Sequence, residues 1–278
     1  MKPFLAKHNY KKILIVKGNK SFEKSGASEE IKLLSNDFNF IYFDKFSSNP
    51  DFKDALRGSR FFLKEKCDCI ISIGGGSVID MGKLINVFQS HKGMEISLTI
   101  GKKKLSKNLK PFVAIPTTSG SGSECTHFAV VYLKEKKYSI SHSKLIPDLA
   151  LVDYCLTLKL SKYQTACSGM DALSQSIESY WAVKSTSESR NYAKKSILLA
   201  LNNIAKNVNK PTVSSRKNMM IASHLAGKAI NITKTTAPHA FSYYLTINHN
   251  ICHGEAVSLL FEKFIDLNFS YIKKSDRK

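Results

Sequence analysis

Asp171 and Gln175 stand four residues apart, and His239 and His253 stand fourteen apart further along the chain. On a helix starting near Gly169, the four-residue step puts the carboxylate and the amide one turn apart on one face. His239 and His253 flank a loop between two further helical stretches. One carboxylate and two imidazoles with an open position suit a catalytic divalent metal such as Fe²⁺ or Zn²⁺. The Gln175 amide oxygen would be a weak fourth ligand or a donor to one. Spacing alone leaves a plainer alternative: a single helical Asp is usually a cap or surface residue, and a single His a satisfied polar residue.

A second kind of chemistry is written in two loops. Ile71 to Asp80 (ISIGGGSVID) reads as a strand, a glycine turn and a helix start. Glycines let backbone N–H groups close on a phosphate, and the helix N-terminus adds a favourable dipole. The spacing is not that of the usual dinucleotide fingerprint, so a plain tight turn remains the alternative. Pro116 to Glu124 (PTTSGSGSE) directly follows another strand and is rich in hydroxyls. Ligands of open α/β sheets bind at that end of the strands.

The elements that must position these residues follow from periodicity. Buried strands are predicted at 12–16 (KILIV), 38–43 (FNFIYF), 69–73 (CIISI) and 111–115 (PFVAI), with helices at 27–34, 49–64 and 77–88 between them. Segments 128–133 and 149–152 are expected to complete the sheet. This alternation indicates parallel α/β topology. From about Ser161 the pattern is helical. Ser185-Thr186-Ser187-Glu188 suggests a capping box before a helix to about Val208, and Lys210-Pro211 breaks it. Further helices are predicted at 215–232, 236–245 and 253–269. The expected organisation is an α/β nucleotide domain over 1–157 and an all-helical domain over 158–278.

The chain has 278 residues, with 43% hydrophobic residues and a formal net charge of +20. Its composition is that of a globular protein. The lysines are dispersed and not interleaved with aromatics, which favours a solvated basic surface over nucleic-acid binding. Such a surface would still attract an anionic substrate or nucleotide. Six scattered cysteines without a C-x-x-C read as reduced thiols, and MKPFLAKHNYKK lacks an apolar signal core, so a cytoplasmic protein without membrane segments is expected.

Four motifs occur in order: GGGSVIDMGK (74–83), PTTSGSGSE (116–124), PDLALVD (147–153) and GMDALSQSIESYW (169–181). HLAGKAINITKTTAPHAFSYYLT (224–246) and CHGEAVSLL (252–260) follow. Together they resemble the iron-containing, or group III, alcohol dehydrogenases over most of the chain. The resemblance implies a Rossmann-like N-terminal domain, a helical metal-binding domain and a cofactor lying between them. It assigns cofactor contacts to Gly18, Asn49, Gly75, Gly76, Ser77, Asp80, Thr117, Thr118 and Ser121, and metal ligation to Asp171, His239 and His253. Gln175 stands where the family usually has a fourth ligand, a His. Tyr243 stands where another His is common, and its phenol is a candidate proton donor.

The resemblance implies NAD(P)-dependent, metal-assisted interconversion of aldehyde and primary alcohol. The wording DALSQSIESYW with KTTAPHAFSYYLT is most similar to the phosphonoacetaldehyde reductase branch, which forms 2-hydroxyethylphosphonate. Arg190, Lys228 and Lys234 are candidate cations for such an anionic substrate. Lys17-Gly18-Asn19-Lys20 lacks an acid after the first strand and favours NADPH over NADH. Family members continue for several helices past the second metal histidine, so a shortened helical domain is expected. Competing expectations are a non-catalytic remnant and another dehydroquinate synthase-like enzyme, such as a polyol-phosphate dehydrogenase. A homodimer is expected by family analogy.

Overall fold

The computed structural model describes residues 1–134 and 136–275, with side chains described through Tyr271. The last three residues of the helical domain expected over 158–278 lie outside the described residues. Two compact units emerge. The first comprises Met1–Thr118 and Gly122–Leu160, and the second Ser119–Ser121 and Ser161–Lys278.

Among the described residues, the first unit contains the strands β1 (Lys12–Lys17), β2 (Asn39–Phe43), β3 (Cys69–Gly74), β4 (Phe112–Pro116), β5 (Phe128–Leu133), β6 (Lys136–Ser141) and β7 (Leu149–Ala150). Its helices are α1 (Lys2–Lys7), α2 (Ser21–Lys24), α3 (Ala27–Leu34), α4 (Phe52–Lys64), α5 (Gly76–Ser90) and α6 (Glu95–Thr99). The main sheet is wholly parallel in the order β2-β1-β3-β4-β7. Both faces are covered, as parallel sheets require. Leu14, Val16, Ile70 and Ala114 face a core with α4 and α5. Their neighbours Ile13, Ile15, Ile71 and Val113 face Leu5, Phe22, Ala27 and Ile31. The near-continuous apolar strands seen in the sequence are the signature of this two-sided burial.

One strand expectation is corrected. Phe128–Leu133 does not join the main sheet but pairs antiparallel with Lys136–Ser141, a strand not foreseen. The sequence KKYSIS conceals that strand because only Ile140 is buried. Two charged groups on α5 hold the hairpin. Lys83, 1% exposed, donates from Nζ to the carbonyls of Ser123 and Thr126 at 2.7 Å and of Phe128 at 3.1 Å. Asp80, one turn earlier, accepts from the Ser123 hydroxyl at 2.5 Å and the Val130 N–H at 3.0 Å. Burial pushes the Lys83 amine down to about 8 and the Asp80 carboxyl up, with each partly offset by the other.

Among the described residues, the second unit has the helices α7 (Lys162–Trp181), α8 (Ser187–Asn209), α9 (Val213–Thr233), α10 (Ala237–His249) and α11 (His253–Ser275). Helix α7 begins two turns before the expected start near Gly169, and Ser161 caps it by accepting from the Gln164 N–H. Gly169 is instead a packing residue. A Cβ there would fall 2.9 Å from Ile204 of α8. The capping box before α8 uses Thr186 and Ser189 instead of Ser185 and Glu188, one residue later than expected. The Ser hydroxyl reaches back to the N-cap N–H as well as a Glu would. Helices α7, α8 and α9 interlock through small residues: Ser176 donates to Ser196 at 2.6 Å, and Ser196 to the Ala222 carbonyl at 2.7 Å.

Replacing Lys83 with Met would strand three buried carbonyls and leave Asp80 without its cation. Denaturant unfolding should show a loss of roughly 3–5 kcal/mol. A loss under about 1 kcal/mol would mean that Lys83 does not hold the hairpin.

Candidate active site

In the first unit, the register pairs Gly74 with Pro116, bringing the two loops side by side at the carboxyl ends of β3 and β4. The Thr117 N–H donates to the Gly74 carbonyl at 2.9 Å. A Cβ on Gly75 would lie 3.4 Å from the Thr118 hydroxyl, and one on Gly74 only 2.5 Å from Val78. The glycines therefore let the turn close against α5, whose first residue is Gly76 and whose N-cap, Gly75, offers no side chain. Gly75, Gly76 and Ser77 are half-buried at that helix N-terminus, which favours an anion. The Thr117 hydroxyl oxygen is buried with no partner. These features fit a dinucleotide phosphate and its adjoining ribose.

The other assigned cofactor residues are placed less uniformly. Gly18 sits at the end of β1, where a Cβ would collide with the Ser21 hydroxyl at 2.1 Å. Asn49 is half-buried, and its carbonyl accepts from the Ser47 hydroxyl. Asp80 has both carboxylate oxygens committed to the chain itself. Ser121 groups with the second unit. Lys17 is not an open cation: it pairs with Asp44 at 3.2 Å and Glu23 at 3.6 Å, and lies over the Phe22 ring. Asp44 immediately follows β2 and was not picked out from the sequence. The signal was available, because an acid after the second strand of a βαβ unit is a ribose acceptor.

In the second unit, Asp171, His239 and His253 come together from α7, α10 and α11. Their ligand atoms all lie within 4.8 Å of one another. His239 Nε2 is 3.1 Å from Asp171 Oδ1, and the Gln175 amide donates to the same oxygen at 3.0 Å. The Gln175 Oε1 atom is buried without a hydrogen-bond partner. Asp171, Gln175 and His239 are each under 10% exposed. The Tyr243 ring stacks on His253 at 5.8 Å.

Glu178 is the residue that sequence reading missed. It is fully buried and lies seven residues after Asp171, on the same face of α7. It accepts from His239 Nδ1, from the Thr236 N–H and from the Thr236 hydroxyl at 2.8 Å. Trp181 Nε1 donates to that same hydroxyl at 3.2 Å. Burial alone would push the His239 imidazole down, but Asp171 and Glu178 at its two nitrogens outweigh burial and raise it. Burial raises the Asp171 carboxyl, while His239, His253 and Gln175 together lower it below its ordinary value.

This donor set fits a divalent cation. His239 Nε2 and Asp171 Oδ1, 3.1 Å apart, are two ligand atoms that a cation would join. A carboxamide oxygen buried without a donor has the lone pairs that a cation would satisfy. Gly254 makes the approach possible: a Cβ there would fall 1.9 Å from the Cys167 carbonyl oxygen and 3.2 Å from Asp171 Cβ. The candidate substrate cations make their contacts elsewhere. Arg190 donates to Ser185, Lys228 lies over the Tyr192 ring, and Lys234 is exposed at the end of α9.

Comparison with known proteins finds one family along the chain. Residues 1–154 match the iron-containing alcohol dehydrogenase family, and residues 165–278 match its C-terminal region. Long-chain-alcohol dehydrogenase 1 of Geobacillus thermodenitrificans is 34% identical over 233 residues, covering 82% of this chain and 58% of the relative. The 1,3-propanediol dehydrogenase of Citrobacter freundii is 33% identical, covering 79% and 57%. The crystal structure of sulfoacetaldehyde reductase from Bifidobacterium kashiwanohense in complex with NAD⁺ aligns with a TM-score of 0.89 at 29% identity, covering 96% of this chain and 72% of that one. The chain thus spans a little under three fifths of the length of these two curated relatives.

Glu178→Ala frees His239 Nδ1 and the Thr236 N–H together. Zn²⁺ competition titration should show a 10- to 100-fold weaker site, the range for losing an orienting partner of a ligand histidine. Unchanged affinity would remove Glu178 from the site.

Proposed function

The chain belongs to the iron-containing alcohol dehydrogenase family, and from that membership we propose that it interconverts a small aldehyde and its primary alcohol with a nicotinamide cofactor. The observation that carries the proposal is the cluster of buried Asp171 and His239 with half-buried His253, on the same helix face as Gln175 with its partnerless oxygen. These four residues would hold the divalent metal, Fe²⁺ or Zn²⁺. Bound there, it supplies Lewis-acid polarisation of a carbonyl oxygen.

The chain's own residues do the rest. Glu178 accepts a hydrogen bond from the Nδ1 N–H of His239 and so directs Nε2 to the cluster. Asp171 brings the negative charge, and the Gly254 approach sets His253 against α7. The glycine turn, Ser77 and Thr117 anchor the cofactor phosphates and ribose, and that anchoring lowers the barrier by fixing the reacting ring. Tyr243, held face to face with His253, is the candidate donor of the alcohol proton from its phenol oxygen.

The cofactor we favour is NADH, against the lean to NADPH taken from Lys17 and Lys20. Lys17 is occupied by Asp44, and a 2′-phosphate would meet that carboxylate, whereas a ribose 2′-hydroxyl would donate to it. For the substrate, we favour a two-carbon aldehyde carrying an anionic sulfonate or phosphonate. Support comes from the branch resemblance, including phosphonoacetaldehyde, and from the similarity to a sulfoacetaldehyde reductase. The net charge of +20 would draw such an anion in.

Purified protein should oxidise NADH with phosphonoacetaldehyde or sulfoacetaldehyde faster than with uncharged short aldehydes. Chelation should abolish turnover, and added Fe²⁺ or Zn²⁺ should restore it. Full-rate reduction by the His239→Ala, His253→Ala double variant would sink the metal role. Asp44→Gly should shift the kcat/KM ratio toward NADPH by about tenfold or more, the scale of one hydrogen bond to a charged group. An unmoved ratio would exclude Asp44 as the ribose acceptor.

A further inference from the structure

Tyr163, Cys167, Asp171 and Gln175 succeed one another at four-residue steps and share one face of α7. Cys252-His253-Gly254-Glu255 runs along that face at the start of α11. Three contacts mark the seam. The Tyr163 hydroxyl donates to Glu255 Oε2 at 2.5 Å. Gly254 presses so closely on the Cys167 backbone that a Cβ would lie 1.9 Å from its carbonyl oxygen. Cys252, two residues before Gly254, is thereby brought beside Cys167, and its proximity adds to burial in raising the Cys167 thiol. Two cysteines therefore meet on the seam, one a single turn before Asp171 and the other adjacent to His253.

We propose that Cys167 and Cys252 form an oxidation site, a dithiol that a hydroperoxide closes to a reversible disulfide across the two segments bearing Asp171 and His253. The exposures set the order of events. Cys167 is 6% exposed, while Cys252 is half-buried and open to a small oxidant. Burial also holds the Cys167 thiol protonated, pushed up to about 12. The hydroperoxide transfers one oxygen to the Cys252 sulfur, giving a sulfenic acid and leaving an alcohol, or water from hydrogen peroxide. The Cys167 sulfur then displaces that oxygen. The S–S bond forms, the S–O bond breaks, and the departing hydroxyl takes up the Cys167 proton as water. Two thiols are oxidised and one O–O bond is reduced. A thiol reductant reverses the step by exchange.

The consequence follows from placement. The bond would tie the residue before His253 to the turn before Asp171 and restrict their separation. It would also close a long loop through α8, α9 and α10, which constrains the unfolded chain. The bond itself stands on the packing of the 252–255 segment against Cys167 and Tyr163; only its effect on a metal rests on the proposed ligand set.

The test uses the whole chain loaded with Zn²⁺, which is redox-inert. After mild hydrogen peroxide treatment and non-reducing digestion, mass spectrometry should find the Cys167 and Cys252 peptides joined. The Cys167→Ser and Cys252→Ser variants should lack that species while retaining basal activity. The oxidised wild type should melt higher by on the order of 5 °C and release Zn²⁺ to a chelator more slowly, and dithiothreitol should reverse both. Cys252 over-oxidised with Cys167 still reduced, or a cross-link to Cys125 or Cys155 instead, would overturn the proposal. Zn²⁺ release as fast as from reduced protein would overturn the lock. A joined peptide in a protein that binds no Zn²⁺ would leave the disulfide standing and refute the metal reading, so the two failures are distinguishable.

Discussion

A carboxylate with no exposed surface is costly to keep unless its lone pairs are filled. Glu178 fills its own by joining three parts of the second unit: α7, which carries it, the N-terminal entry to α10 through Thr236, and the His239 ring. The cap of α10 and the orientation of His239 are therefore one interaction. Because α10 begins where Glu178 holds Thr236, the side chain three residues on is delivered to Asp171. The Trp181 indole N–H closes on the same Thr236 hydroxyl, so the cap is shared with the end of α7. The positions of Asp171, Gln175 and Glu178 on one face of α7 follow from helical periodicity alone, and the rest of the cluster is brought to that face.

The first unit uses a comparable economy. Helix α5 offers its N-terminus to the glycine turn, and its second turn carries Asp80 and Lys83, which hold the chain that returns from the PTTSGSGS loop. Both groups are buried ions whose desolvation is offset by directed hydrogen bonds. The cradle and its brace are thus rigidly connected through one turn of helix. A loop tethered in this way has fewer conformations to lose when a ligand orders it, which is what preorganisation means in energetic terms.

Much of this was legible in the sequence. The parallel strands announced themselves as short apolar runs, and α3 was placed to the residue. Asp171, His239 and His253 were candidates by residue type, and the family resemblance was what singled them out as a ligand set. What escaped was set by long-range partners. The strand KKYSIS has too little alternation to be seen, and it exists because Phe128–Leu133 pairs with it. Gly169 looked like a helix boundary because glycine usually is one; here it makes room for Ile204 of α8. Glu178 carries no signal of its own in the sequence, because its burial is set by Thr236 and His239. Lys17 looked like a phosphate ligand until Asp44, brought alongside by the β1–β2 register, claimed it.

Gln175 bears on the character of the site. Exchanging an imidazole for a carboxamide keeps the formal charge of the ligand set, since both are neutral and Asp171 remains the one anionic member. It replaces a nitrogen donor by an oxygen donor. Imidazole suits zinc, copper, iron and nickel, while carbonyl oxygen suits harder cations. A set of two imidazoles, one carboxylate and one amide oxygen therefore discriminates less strongly for zinc than three imidazoles would. The weaker donor also neutralises less of the metal's charge, leaving more of it for a carbonyl oxygen. In the proposed ligand set, Gln175 would thus trade tightness of binding for polarising strength, and Glu178, by fixing His239, would compensate on the side of binding.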